Sequence, residues 1–239
     1  MTVLSIVITA IVLAGYLAFS DSAISTRLRA LVGVEDRFLP PVDSDTTGPF
    51  AFLNTQPGSG RPVGFSPCAQ IRYVVNPTSA PSGWEQHVEQ AINEVSARTG
   101  LEFDYEGTTD DRDFSSRARS GTGSADPVII AWADEDEVDD LADDVAGVGG
   151  PTMVSLGRLR AYVSGSVVLD TDATDRFSDD PNGDALQVAL LLHELGHLVG
   201  LDHVDDATEL MYADGITRPD YGPGDRAGLA ELGAIPCRA

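Results

Sequence analysis

Three of the chain's four histidines, His193, His197 and His203, fall within eleven consecutive positions, with Glu194 beside the first and Gly200 between the last two. Neutral imidazole is a preferred zinc ligand. In a helix, His193 and His197 stand four residues apart and share one face, so their rings converge on one ion. Glu194 offers a carboxylate near the same point without being needed as a ligand, which is the position of a general base. Gly200 tolerates the positive φ at which helices end. The chain can therefore turn sharply and bring His203 in as a third nitrogen ligand. Three imidazoles leave one corner of a tetrahedral Zn²⁺ open to water, the arrangement of a reactive site and not of a closed structural one. The chemistry implied is attack by an activated water whose proton Glu194 accepts.

Such a motif needs a helix to carry it. Residues 185–192 are strong helix formers, with Asp184 placed to cap them. Upstream, Ile71–Asn76 alternates and is rich in β-branched residues, as strands are. Ser82 can cap a helix running to about Thr99, with Trp84, Val88, Ala91, Ile92 and Val95 on one face and Gly100 as its stop. The remaining histidine, His87, falls at the edge of that face and reads as a surface or packing residue. Residues 101–105, 127–132 and 160–170 read as further strands, the second apolar enough to be central in a sheet. Gly147–Leu156 is the candidate edge strand, and residues 170–184 read as an acidic loop. The order of elements predicts an α+β fold in which a mixed sheet packs with a long helix bearing the site.

Composition narrows the partners. The 239 residues carry 38 acidic and 15 basic side chains, a formal charge of −23, and every basic one is arginine. Phosphate neutralisation needs clustered Lys or Arg, so nucleic acid is excluded as a partner. Residues 134–144 hold eight carboxylates in eleven positions. They read first as a solvated helical turn and second as a calcium site, since Ca²⁺ takes six to eight oxygens, although no EF-hand spacing is present.

Residues 2–19 are apolar and uncharged, at the short end of what spans a bilayer. Residues 1–20 therefore read as a signal peptide, with Ala18-Phe19-Ser20 before the cleavage point, or as an uncleaved anchor. The polar stretch 21–47, broken by Pro40-Pro41, reads as a stalk, and 48–239 as the folded domain. The domain is expected outside the cytoplasm, secreted or anchored, touching a membrane only through the N-terminal segment. Cys68 and Cys237, the only cysteines, agree with export and pair most simply as one disulfide. A loop of that length contributes about 4–5 kcal/mol in the chain-entropy view. Two free thiols, or one cysteine held on the metal, are the alternatives.

The run His193-Glu194-x-x-His197-x-x-Gly200-x-x-His203, followed by Met211 in Leu210-Met211-Tyr212, resembles the signature of the metzincin zinc endopeptidases. Its Leu-Met-Tyr context and Pro67-Cys68…Tyr73-Val74-Val75-Asn76 are most similar to bacterial proteins of the matrixin branch. The resemblance implies a zincin catalytic domain with a mixed twisted sheet and a small C-terminal subdomain that holds the Met-turn and a further helix. It also implies Zn²⁺ held by the three histidines, Glu194 as the base, Met211 as a hydrophobic floor, and a polypeptide substrate extended along the edge strand. The wall from His203 to about Asp220 would set specificity. Val204 replaces the serine common after the third histidine, and the matrixin propeptide cysteine motif is not found. Tyr212 directly follows Met211, unlike the Met-x-Tyr of astacin-like enzymes, and is not read as a ligand. Two other classes use the same residues: a zinc hydrolase of a non-peptide or cell-wall bond, and an inactive surface binding protein with a structural zinc.

Overall fold

In the computed structural model, residues 37–115, 117 and 125–237 are described. The candidate signal or anchor at 1–20 lies outside them, as does the stalk as far as residue 36. Among the described residues no helix is long and apolar enough to cross a membrane. Among the described residues, seven strands and four α-helices follow in chain order: β1 (Ala51–Phe52), β2 (Ile71–Asn76), α1 (Trp84–Thr99), β3 (Phe103–Thr108), β4 (Val128–Ala133), β5 (Gly147–Leu156), β6 (Leu159–Asp170), α2 (Thr171–Ser178), α3 (Gly183–Val199), β7 (Leu201–Asp202) and α4 (Pro223–Gly233). Residues 38–236 form one compact unit.

Five strands make a sheet in the order β3-β2-β4-β6-β5. β2, β3, β4 and β6 run parallel, and β5 returns antiparallel to β6. β4 (VIIAWA) is buried along its whole length, as a parallel strand covered on both faces must be. α1 buries Val88, Ala91, Ile92 and Val95 at helical spacing, and ends where Gly100, at φ 66°, returns its N–H to Ser96 O. α3 is buried on all sides from Gln187 onward, so it runs through the core between α1 and the sheet.

Three local expectations are corrected. Ser82 does not cap α1; the cap position is Gly83, at φ 82° and without a side-chain bond. The acidic stretch after β6 is not all loop. Asp170 Oδ2 accepts the N–H of Ala173 at 2.7 Å and so caps α2. The cap of α3 is Asn182, while Asp184 lies in the first turn and its Oδ1 stands 3.2 Å from Nε2 of the buried His87.

Residues 134–144 form turns and one 3-10 turn, Asp139–Leu141, that buries Leu141 and leaves the carboxylates to solvent. Ahead of β1 the chain lies along the C-terminal subdomain. Thr46 Oγ1 donates to Pro223 O at 2.9 Å, and a Cβ on Gly48 would stand 2.6 Å from both Glu209 Oε1 and Gly224 N. β1 then pairs antiparallel with β7.

Candidate metal centre and catalytic cleft

α3 carries His193, Glu194 and His197, all buried. It stops at Gly200, whose φ of 127° directs the chain into β7 and on to His203. His193 Nδ1–H donates to Leu210 O at 2.8 Å and His197 Nδ1–H to Leu201 O at 2.9 Å. These bonds fix the tautomer that leaves both Nε2 lone pairs bare. Each of the two Nε2 atoms lies 3.1 Å from Nε2 of His203, and one ligand atom from each of the three lies within 4.8 Å of the others. Nitrogens about 2.05 Å from a tetrahedral zinc stand about 3.3 Å apart. The donor type, number and spacing therefore fit that ion. Among the described residues this is the one such group of His, Cys, Asp or Glu. The carboxylates of 134–144 do not assemble into another, and calcium finds no support there.

The turn that closes the site is held from beneath. Met211 is buried, and a Cβ on Gly196 would stand 2.6 Å from its Sδ. Only glycine lets the sulfur lie against the helix beside His197. Asp225 Oδ2 accepts the N–H groups of Leu210 (2.6 Å) and Gly222 (2.8 Å), and Tyr221 donates its hydroxyl to Leu192 O at 2.6 Å. Cys68 and Cys237 are both disulfide-bonded.

β5 crosses Glu194 closely. A Cβ on Gly149 would stand 2.4 Å from Glu194 O, and one on Gly147 3.0 Å from Glu194 Oε1. Two glycines in alternation thus let the strand backbone reach the helix. Gly149 N–H bonds the Glu194 carboxylate, yet burial outweighs that bond and pushes its pKa up to about 8. Burial, helped by His197, lowers His193 to about 4, and burial lowers His197 as well. A divalent cation on the three histidines would draw Glu194 back toward its ionised form.

These shifts set the pH response of the metal-free protein. Glu194, raised from 4.5 to about 8, contributes stability that is complete below about 4.5 and lost as pH rises through about 8. His193, lowered from 6.5 to about 4, acts oppositely: its contribution is present above about 6.5 and lost as pH falls through about 4. Of these groups only Glu194 changes charge between pH 6.5 and 8. The Tm of chelator-treated protein is expected to fall across that window; a Tm that stays level or rises contradicts the buried carboxyl.

Histidines and Glu194 open into a cleft of about 760 Å³, floored by Gly147–Gly149 and walled by Leu53, Phe177, Leu190, Tyr212 and Ile216. Among the described residues the outer edge of β5 pairs with no strand. The structure brings the sequence-predicted His193, Glu194, His197 and His203 to one cleft, with Gly200 ending their helix and Met211 buried against it. Gly196, Gly147 and Gly149 as steric requirements, Asp225 as the support of the turn, and Phe177 as a wall were not expected from the sequence.

A family model described as Matrixin matches residues 70–219, well over half the chain, including the three histidines, Glu194 and Met211. Among solved structures, the archaemetzincin of Methanopyrus kandleri matches at 16% identity and a TM-score of 0.44, covering 68% of this chain and 95% of that one. No curated protein matches.

Proposed function

The chain belongs to the matrixin family of zinc metallopeptidases, and from that premise we propose that it is an endopeptidase in which Glu194 is the general base. Zinc, when bound, supplies Lewis acidity: it acidifies water and polarises a carbonyl. His193, His197 and His203 hold the ion, with their tautomers fixed by Leu210 O and Leu201 O. Glu194 accepts the proton of the attacking water as its oxygen bonds to the scissile carbon. The same carboxyl then gives that proton to the amine nitrogen as the C–N bond breaks. The polypeptide lies extended on the free edge of β5, which offers main-chain donors and acceptors. The observation that carries this reading is the convergence of three Nε2 atoms beside Glu194 on an open cleft, with His203 reachable from solvent. A structural site would be closed.

The proposal includes action outside the cytoplasm. The apolar run 2–19 and the disulfide-bonded Cys68 and Cys237 support it.

The test is removal and return of the metal. Unfolded casein should be cut by the zinc-loaded protein, left intact after chelation, and cut again after one equivalent of zinc is restored. Zinc-loaded protein that leaves every polypeptide intact while hydrolysing cell-wall fragments overturns the reading.

A further inference from the structure

We propose that the cleft selects polypeptides bearing arginine or lysine near the scissile bond, an inference that rests on the endopeptidase reading above. Besides Glu194, three carboxylates line the cleft from separate parts of the chain: Asp144 ahead of β5, Asp202 in β7, and Asp214 in the turn after Met211. No arginine lines it. Among the described residues none of the three is ion-paired. Arg112 pairs with Glu137, and Arg218 and Arg226 pair with Asp220, not with the cleft carboxylates. Asp202 Oδ1 accepts the His203 N–H at 2.8 Å, and Asp214 Oδ2 accepts the Tyr212 hydroxyl at 2.9 Å. Those bonds fix two of the carboxylates in place without neutralising them.

The class of ligand follows from a separate observation. The unpaired edge of β5 lies in the same cleft as Glu194, which is 4% exposed and directs its carboxylate there. An extended main chain satisfies that edge, and its side chains must then pass Asp144, Asp202 and Asp214. In a walled cleft the field of fixed charges is focused and less screened than on an open surface. Basic flanking residues are attracted and acidic ones repelled, so discrimination comes from both signs. The formal charge of −23 adds long-range attraction for any cation. Only the lining carboxylates make the preference depend on position along the substrate.

The experiment uses the zinc-loaded protein and three quenched peptides with one cleavable core, flanked by arginine, alanine or glutamate. The expected kcat/KM for the arginine peptide exceeds that for the glutamate peptide by about tenfold at low salt. The ratio should collapse near 1 M salt, where the Debye length is about 3 Å. Asp144→Asn with Asp214→Asn should lower the ratio about threefold or more. Glu85→Gln with Glu89→Gln, an equal charge change on α1 outside the cleft lining, should leave it in place. Equal ratios in the two double variants, or equal cleavage of all three peptides, overturn the inference. A binding arm separates it from the endopeptidase reading: zinc-loaded Glu194→Gln, which keeps the volume beneath β5, is titrated with the same peptides by fluorescence anisotropy. Tighter binding of the arginine peptide supports the inference even if no peptide is cut, whereas equal binding overturns it. Absence of cleavage of every peptide by zinc-loaded wild type sinks the endopeptidase reading alone.

Discussion

Replacing Glu194 by alanine is expected to leave one zinc per chain and to lower kcat/KM by about 10²–10⁴-fold. The two halves of this result have separate causes. Zinc is held by nitrogens that do not depend on Glu194, because the rings of His193 and His197 are oriented by Leu210 O and Leu201 O. Turnover is expected to fall because Glu194 is the acidic residue of the motif helix that opens into the cleft beside the three histidines. Alanine would also leave a gap beneath Gly147 and Gly149, whose backbone packs on the side chain, and a displaced β5 would confuse the result. Glu194→Gln retains the volume and removes the basic oxygen. It should lose activity to the same extent, with Tm near that of wild type. In the metal-free form, the decline of Tm between pH 6.5 and 8 should also vanish, since the group raised to about 8 is gone. Either variant cleaving casein within about tenfold of wild type would remove Glu194 from the mechanism.

The parts of the molecule that repeat with a period could be read from sequence. β2 was placed at its observed bounds, and β4 and β6 within one residue at their starts, because continuous or alternating apolar runs survive tertiary packing unchanged. The motif helix was legible for a stronger reason: its spacing is fixed by chemistry as well as by burial. β1 and β7 were not legible, since two residues each carry no period. α2 was hidden by its acidity; its cap, Asp170, sits in a stretch with the composition of a loop. The supports of the site were harder still. Nothing in the sequence links Asp225 to the Leu210 N–H or Met211 to Gly196, because both contacts are made across the fold. Gly196 did carry a signal: a glycine inside a helix costs about 1 kcal/mol and is retained for a packing reason. The alternation of Gly147 and Gly149 in a strand is a signal of the same kind.

His197→Ala is expected to abolish both zinc retention and turnover, and the contrast with Glu194→Ala distinguishes ligand from base. His197 is buried, and its ring performs two tasks. Nε2 meets Nε2 of His203 at 3.1 Å, and Nδ1–H holds Leu201 O in the turn that delivers His203. Alanine removes one nitrogen and releases the element carrying another, leaving His193 as the only ligand held in place. Changes to hydrogen bonds behind a ligand cost about 10–100-fold in metal affinity, so loss of ligand and support together should exceed about 100-fold. Zinc at one hundred times its Kd stabilises a fold by about 2.7 kcal/mol. The zinc-dependent rise in Tm should therefore disappear in the variant. Because the ring is buried, its removal also lowers the metal-free Tm. His197→Gln, whose amide N–H can still reach Leu201 O, tells that structural loss from the loss of a ligand. Glutamine should recover much of the metal-free Tm and none of the zinc-dependent rise. A His197→Ala protein that still carries one zinc per chain through gel filtration, with the wild-type rise in Tm, would mean that the three nitrogens converge for a reason other than metal.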